Sequence, residues 1–273
     1  MNRCSGVHFG MENAKVRFLS DPAHYREKER CYLEVRNREG RVLPDEEVLL
    51  LPNTLESNPY AREWALRRRS FSRLERYLAR RSRGKRIRIL DLGCGNGWMA
   101  NRLAMRAQND VWAADINERE LSQGARLFGR ENLHFVYADL LSATGVPGYP
   151  GMPFRDTLFD FVILAASAQY FPDFPALVGA LRNILNPSGE IHVTDSPFYK
   201  NEAERAAARR RTLAYYTRVG VPEMADYYYH HLWRDAKNAG AKNLNNRLTT
   251  KILQKSGLLA PFPWLVLRQV QSM

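Results

Sequence analysis

The chain lacks most of what would mark a secreted scaffold or a membrane protein. Its 273 residues hold three cysteines, Cys4, Cys31 and Cys94, with no C-x-x-C pair among them. An odd set of this kind suits free thiols in a reducing cytoplasm better than a disulfide framework. No apolar run approaches the roughly eighteen residues that a membrane-spanning helix requires. The stretch Leu258 to Leu267 is short and is broken by Pro261 and Pro263. The first residues, among them Asn2, Arg3, His8 and Glu12, lack the apolar core of a secretion signal. A cytoplasmic protein without a membrane partner is therefore expected. Internal repeats and low-complexity tracts are also missing. His230 and His231 stand side by side, and helix neighbours point about 100° apart, so no metal site is expected there. Acidic residues are the scarcer charge, 29 against 41 basic ones for a net +12, which leaves a polyanionic partner open.

What the chain does have is concentrated between Ile87 and Gly97. An apolar run from Ile87 to Leu92 carries Asp91 and breaks into Gly93, Gly95 and Gly97. Ala100, Leu103, Ala104 and Ala107 then recur at i, i+3, i+4 and i+7, the spacing of a helix. The segment reads as a buried strand, a turn stripped of side chains, and a helix. Glycine admits strained backbone angles and close approach of a ligand, and the helix N-terminus beyond it offers free amides to an anion. A nucleotide-like cofactor follows. It is not a dinucleotide, because G-x-G-x-x-G needs a third glycine where this chain has Trp98.

Further strands carry acids at their ends. Val111 to Asp115 reads as a second buried strand, its acid eighteen positions beyond Gly97 and placed to accept both hydroxyls of a ribose. His134 to Asp139, Phe159 to Ala165 and Glu190 to Asp195 supply a third, fourth and fifth strand. Alternation of such strands with helices predicts an α/β fold.

The pattern D-x-G-x-G-x-G from Asp91 to Gly97 resembles motif I of the class I S-adenosylmethionine (SAM) methyltransferases. Leu185-Asn-Pro-Ser-Gly189 is similar to the L-x-P-G-G-type turn before that family's fifth strand, with Ser188 replacing one glycine. The resemblance covers about residues 86 to 200. Within it the chain looks most like bacterial small-molecule methyltransferases with G-N-G-W in motif I and D-S-P-F-Y after the fifth strand. It implies a Rossmann-like sheet with helices on both faces and SAM as cofactor. Asp91, Gly93, Cys94, Gly95, Asn96 and Gly97 would form the loop around it. Asp115 with Ile116 would take the ribose, Asp139 with Leu140 the adenine, and Ala165 would close the end of the fourth strand. Cys94 reads as a small lining residue and not a nucleophile, since it has no assigned base and an anion at Asp91 beside it.

The acceptor is less constrained. Asp195-Ser-Pro-Phe-Tyr199 superficially resembles the D-P-P-Y signature of amino-group methyltransferases, but that signature belongs after the fourth strand, where this chain has Ala165-Ala-Ser-Ala-Gln-Tyr170. A small or medium organic acceptor is the leading expectation, with Tyr170 and His231 as candidate bases should it be a hydroxyl. An RNA (tRNA or rRNA) methyltransferase stands as one rival on the strength of the charge. A SAM-binding interaction protein without catalysis is the other.

Outside the core, residues 1–85 read as an N-terminal extension ending in a cap helix, and 86–273 as the methyltransferase domain. Cys31 to Arg36, a turn at Asn37 to Gly40, and Val42-Leu43 suggest a small hairpin, followed by a short helix from Asp45 to Leu51. Asn58-Pro59-Tyr60 opens an arginine-rich helix. Trp64, Phe71, Leu74 and Leu78 form its apolar seam, its arginines read as a solvated face, and Tyr60 and Trp64 are candidate lid residues. An acceptor lid of helices is expected at about 200–243, after the fifth strand: one from Glu202 to Tyr216, a second from Pro222 toward Ala239 holding Tyr227 to Trp233. Gly145 to Pro153 is a turn-rich loop. Only one C-terminal strand is evident, near Trp264 to Gln269, where the resembling family has two.

Overall fold

The computed structural model describes residues 16–140, 154 and 157–269. The readings at Cys4, at Asn2 to Glu12 and at the Gly145–Pro153 loop lie outside the described residues. In chain order the elements are β1 (Arg17–Phe18), α1 (Arg26–Arg38), α2 (Asp45–Leu50), α3 (Ala61–Ser82), β2 (Ile87–Leu92), α4 (Trp98–Ala104), β3 (Asn109–Asp115) and α5 (Glu118–Leu127). They continue as β4 (Leu133–Tyr137), β5 (Phe159–Ala165), α6 (Phe174–Arg182), β6 (Leu185–Thr194), β7 (Phe198–Tyr199), α7 (Glu202–Val219) and β8 (His231–Leu232). The last four are α8 (Trp233–Asn238), β9 (Lys242–Asn243), α9 (Leu248–Lys255) and β10 (Leu265–Arg268).

One eight-stranded sheet has the order β1-β4-β3-β2-β5-β6-β10-β9. It is parallel from β1 through β6, while β10 runs antiparallel to both β6 and β9. Central strands buried on both faces should be apolar at successive positions, and β2 obeys this. Ile87 and Ile89 enter one core layer with α3, α4 and α5; Leu90 and Leu92 enter the other with α6 and α8. A third, smaller cluster packs α1 against α7 and the 3₁₀ turn Pro222–Tyr227, through Cys31, Val35, Tyr216, Val221 and Met224.

The expected boundary at residue 85 falls in the turn between α3 and β2, yet Leu74 and Leu78 share one core with Ile87 and Ile89. The arginine face of α3 is only partly solvated. Arg68, Arg69, Arg76 and Arg80 are exposed. Arg73 lies 5.3 Å over the Trp264 ring and donates to Asn245, and Arg81 reaches the fully buried Glu190 at 3.0 Å. Tyr77, His192 and Arg268 complete the Glu190 partners, so the carboxylate is buried but paired.

Three expectations are corrected. The hairpin at Cys31 to Leu43 is absent, because residues 26–38 form α1. Its buried Cys31 and Val35 are four apart, and Glu27–Arg30 and Glu34–Arg38 pair at helical spacing. The helix from Pro222 to Ala239 is also absent. After the 3₁₀ turn the chain is extended at Tyr228, and β8 pairs in parallel with β7 before α8 begins. Consecutive aromatic residues favour extended chain, which fits the Tyr-Tyr-Tyr-His-His run. Finally, β10 is not alone beyond β6. The two-residue β9 is too short and too polar to leave a periodic signal.

Candidate active site

Strand order reverses between β3 and β5 on either side of β2, and ligands in open α/β sheets bind at that switch point, beyond the strand carboxyl ends. A cavity of about 830 Å³ lies there. Gly93 after β2, Asp115 ending β3, Asp139 after β4, Ala165 ending β5 and Asp195 after β6 all line it. Five strand ends thus meet one space.

The glycine loop is held from two sides. Gly93 has φ +75°, and a Cβ there would lie 2.9 Å from Ser167 Oγ and closer still to its Cβ. Ser167 in turn donates to the Leu92 carbonyl at 2.6 Å. Gly97, at φ +72°, would place a Cβ 2.5 Å from the Phe135 ring and is not on the cavity wall, so it serves turn and packing. Asp115 organises the loop from the other side. Its Oδ2 accepts from the Gly95 amide at 2.7 Å, and its Oδ1 from the Ile116 and Asn117 amides at 2.7 and 2.9 Å. Burial pushes this carboxyl up and the three amides pull it back. A carboxylate fixed at a cavity wall in this way fits a pair of ribose hydroxyls. Cys94, Asn96, Ile116, Ala138 and Asp139 continue the same wall, so the residues present fit SAM. Burial raises the Cys94 thiol well above its ordinary range, which suits an inert lining residue.

Other expected site residues fall elsewhere. Leu140 is fully buried in the core beside Phe154 and Phe159, not at the cavity. His231 is also off the wall: its Nε2 meets the Ala168 carbonyl at 2.9 Å and its ring packs on Phe174 and Phe198. Strand pairing of β8 turns that side chain inward, which a helical reading could not anticipate. Asp91 sits within β2, 1% exposed, against a separate void of about 30 Å³ also touched by Arg67, Thr194 and Asp195.

Neither Asp91 oxygen has a well-formed hydrogen bond. Burial and the Asp115 charge lift it from 3.8 to about 8, with the Ala100 amide opposing. Between those values the unfolded chain has lost a proton that the folded chain keeps, so folding stability falls as pH rises through the window. Asp91→Asn should therefore melt like the wild type below the window and at a higher temperature above it. Thermal melts at acid and mildly alkaline pH check this; a variant less stable than wild type above the window contradicts it.

Tyr170 does line the cavity, in edge contact with Tyr32 and Tyr228 at 5.7 and 5.8 Å between ring centroids. Burial raises its phenol, so it is a donor and not a base near neutral pH. Tyr60 and Trp64 also line the cavity; Tyr60 is tied down by its hydroxyl bond to the Glu39 carbonyl and by Arg41 stacked at 3.7 Å.

The wall formed by α1 was not anticipated. Lys28, Tyr32 and Arg36, four residues apart, present one helical face to the cavity. Lys28 Nζ donates to the Tyr170 carbonyl at 2.9 Å, and burial brings its ammonium down to about 8. Burial lifts Glu120 to about 7 against the pull of Arg36. Ala166 and Asp195, with φ of +56° and +54°, are strained non-glycine residues at the cavity, where such conformations tend to gather. The i, i+4 pattern on α1 was readable from sequence; the strain was not.

A parallel sheet with a glycine turn at its switch point and acids at the neighbouring strand ends defines a nucleoside-binding α/β protein. Comparison with known proteins narrows this. A family model described as a methyltransferase domain matches residues 89–189. The chain is 26% identical over 162 residues to a sterol 24-C-methyltransferase of Schizosaccharomyces pombe, covering 57% of this chain and 40% of that protein. It is 32% identical over 119 residues to the malonyl-(acyl-carrier protein) O-methyltransferase of Erwinia pyrifoliae, covering 43% and 40%. The chain thus spans about two fifths of the length of these relatives. In fold it is similar to the plantazolicin methyltransferase BpumL, solved in complex with a pentazolic desmethylPZN analog and SAH, with a TM-score of 0.50 and 12% identity over 91% of this chain and 100% of that one. Residues 89–189 thus carry the match to a methyltransferase domain, and the glycine loop with Asp115 on the cavity wall fits SAM.

Proposed function

We propose that this protein transfers the methyl group of SAM to a small or medium organic acceptor held in the same cavity. One observation carries the reading. A single space of about 830 Å³ runs from the glycine loop and Asp115 to a cap of tyrosines, and it is large enough for two molecules side by side. Tyr32, Tyr170, Tyr216 and Tyr228 form that cap, from α1, the turn after β5, α7 and the segment before β8. An aromatic second compartment supports catalysis over a bare SAM-binding module, which has no need of one.

SAM brings a methyl group already activated by its sulfonium. The chain's own residues then bind, orient and exclude water. Asp115 and the loop amides fix the cofactor, and the tyrosine cap aims the acceptor. Lys28 and Glu120, which titrate near neutrality, are suited to hold or accept the proton that a nucleophile gives up. His231 drops out of this role because it faces the core.

The cavity's charge separates the two acceptor classes. Although the chain carries +12, its cavity wall has seven acidic residues against four basic ones among the described residues. Such a lining favours a cationic sulfonium and disfavours a polyanionic strand. Incubation with isotopically labelled SAM and a metabolite extract, beside tRNA and rRNA, tests the proposal. Label in a small molecule supports it, and label in RNA alone overturns it.

Tyr228→Ala opens the cap without touching the loop. Methyl transfer should fall at least about tenfold while SAM affinity moves by less than about threefold, roughly 0.65 kcal/mol. His231→Ala should instead lower stability and leave the transfer rate of the folded fraction close to wild type. Parallel kinetics and calorimetry check both; a larger loss of SAM affinity than of rate in Tyr228→Ala would remove that ring from the acceptor side.

A further inference from the structure

From Ala236 to Met273 the chain has no Asp or Glu, only Lys237, Lys242, Arg247, Lys251, Lys255 and Arg268 among its charged residues. Four of the eleven large apolar side chains exposed among the described residues fall in the same stretch: Leu248 at 74%, Ile252 at 57%, Leu253 at 39% and Leu258 at 46%. Three of them are on α9. At about 100° per residue, Leu248, Ile252 and Leu253 share one arc of that helix. Lys251 and Lys255 border the arc on one side and are exposed, while Thr250 and Gln254 turn toward the protein.

The patch adjoins the cavity. Gln254 Nε2 donates to the carbonyls of Ala260 and Phe262, both at 2.9 Å, and residues 260–262 line the cavity wall. Arg69 of α3 donates to the Leu258 carbonyl at 2.8 Å, which adds its charge to the rim. Among the described residues, none of Arg69, Arg247, Lys251 and Lys255 lies within ion-pair distance of a carboxylate, unlike Arg67, Arg81 and Arg88.

We propose that α9 and Leu258 form a surface that docks on an anionic lipid bilayer and sets one edge of the cavity against it. An apolar arc bordered by lysines is the make-up of a helix that lies in the bilayer interface. Each lysine near an anionic surface adds to the attraction. A protein partner fits less well, because residues 247–258 hold no aromatic anchor and lysine is depleted at protein interfaces. This departs from the sequence expectation of no membrane partner, which rested on the lack of a spanning apolar run; among the described residues no helix is long and apolar enough to cross a membrane. Docking on a lipid surface needs neither.

The test is co-sedimentation of the full chain with phosphatidylcholine vesicles, with and without phosphatidylglycerol. The wild type should bind only the phosphatidylglycerol-containing vesicles, and less so as salt rises. Lys251→Gln with Lys255→Gln should weaken that binding about thirtyfold. Leu248→Ser with Ile252→Ser should weaken it at least about tenfold. All four side chains are exposed, so circular dichroism should be unchanged. If the serine pair does melt, the glutamine pair and the wild type's lipid preference decide. No binding to either vesicle, or equal binding to both, overturns the proposal. So does a wild-type dimer that ignores vesicles and dissociates in the serine pair, since a second copy would then be the occupant.

Discussion

Asp115→Ala is expected to weaken SAM binding by about ten- to a hundredfold, the worth of roughly one charge-assisted hydrogen bond. The side chain does two things at once. It offers a carboxylate to the cavity, and it accepts the amides of Gly95, Ile116 and Asn117 that shape the loop. Removing it leaves those amides without their acceptor as well as the ribose without its partner. Asp115→Asn keeps an acceptor oxygen and the side-chain shape, so it should fall between wild type and alanine. Titration calorimetry with SAM, beside circular dichroism, measures this. Unchanged affinity in a natively folded Asp115→Ala would remove the residue from the site.

Gly93→Ala should be the more damaging change to the fold. At φ +75° a side chain costs about 1–2 kcal/mol before any contact is made. The new Cβ also collides with Ser167, whose Oγ bond to Leu92 ties β5's end to β2. Overpacking of that kind adds about 1–3 kcal/mol. Gly40→Ala provides the internal control, because Gly40 has φ +65° but nothing within 4 Å of its would-be Cβ. Urea denaturation should place Gly93→Ala about 1–3 kcal/mol below Gly40→Ala, the share due to the clash. Equal losses in the two variants would mean that the close approach at Ser167 has no structural weight.

The legible parts of this fold were those whose burial is two-sided. β2, β3 and β5 carry apolar residues at successive positions, interrupted at Arg88, Asp91 and Asp160, because both faces are covered, and their ends are marked by Asp115, Ala165 and the glycines. Phe71, Leu74 and Leu78 on α3 kept their period because one face alone is buried. The sequence was misread where local preference and tertiary context disagree. Cys31 to Arg36 has the alternation of a strand, yet α1 forms because its inner face packs on α7 and the 3₁₀ turn. The aromatic run at Tyr227 to Trp233 divides between cavity and core, with Tyr228 on the wall and His231 behind it, according to a two-residue pairing with β7. Asp91 stands in motif I but touches only the small void behind the loop, whereas Gly93 touches both that void and the main cavity. The far end of the cavity is built by α1 and the cap, distant from the glycine loop in sequence, and no motif marks them.

The central claim is that the glycine loop and Asp115 form a site for SAM and not for a dinucleotide. Calorimetric titration of the purified chain with SAM, its demethylated product and NAD tests it most directly. Saturable one-site binding of SAM and of the demethylated product, with no heat from NAD, is the predicted result. Tighter binding of NAD than of SAM would contradict it.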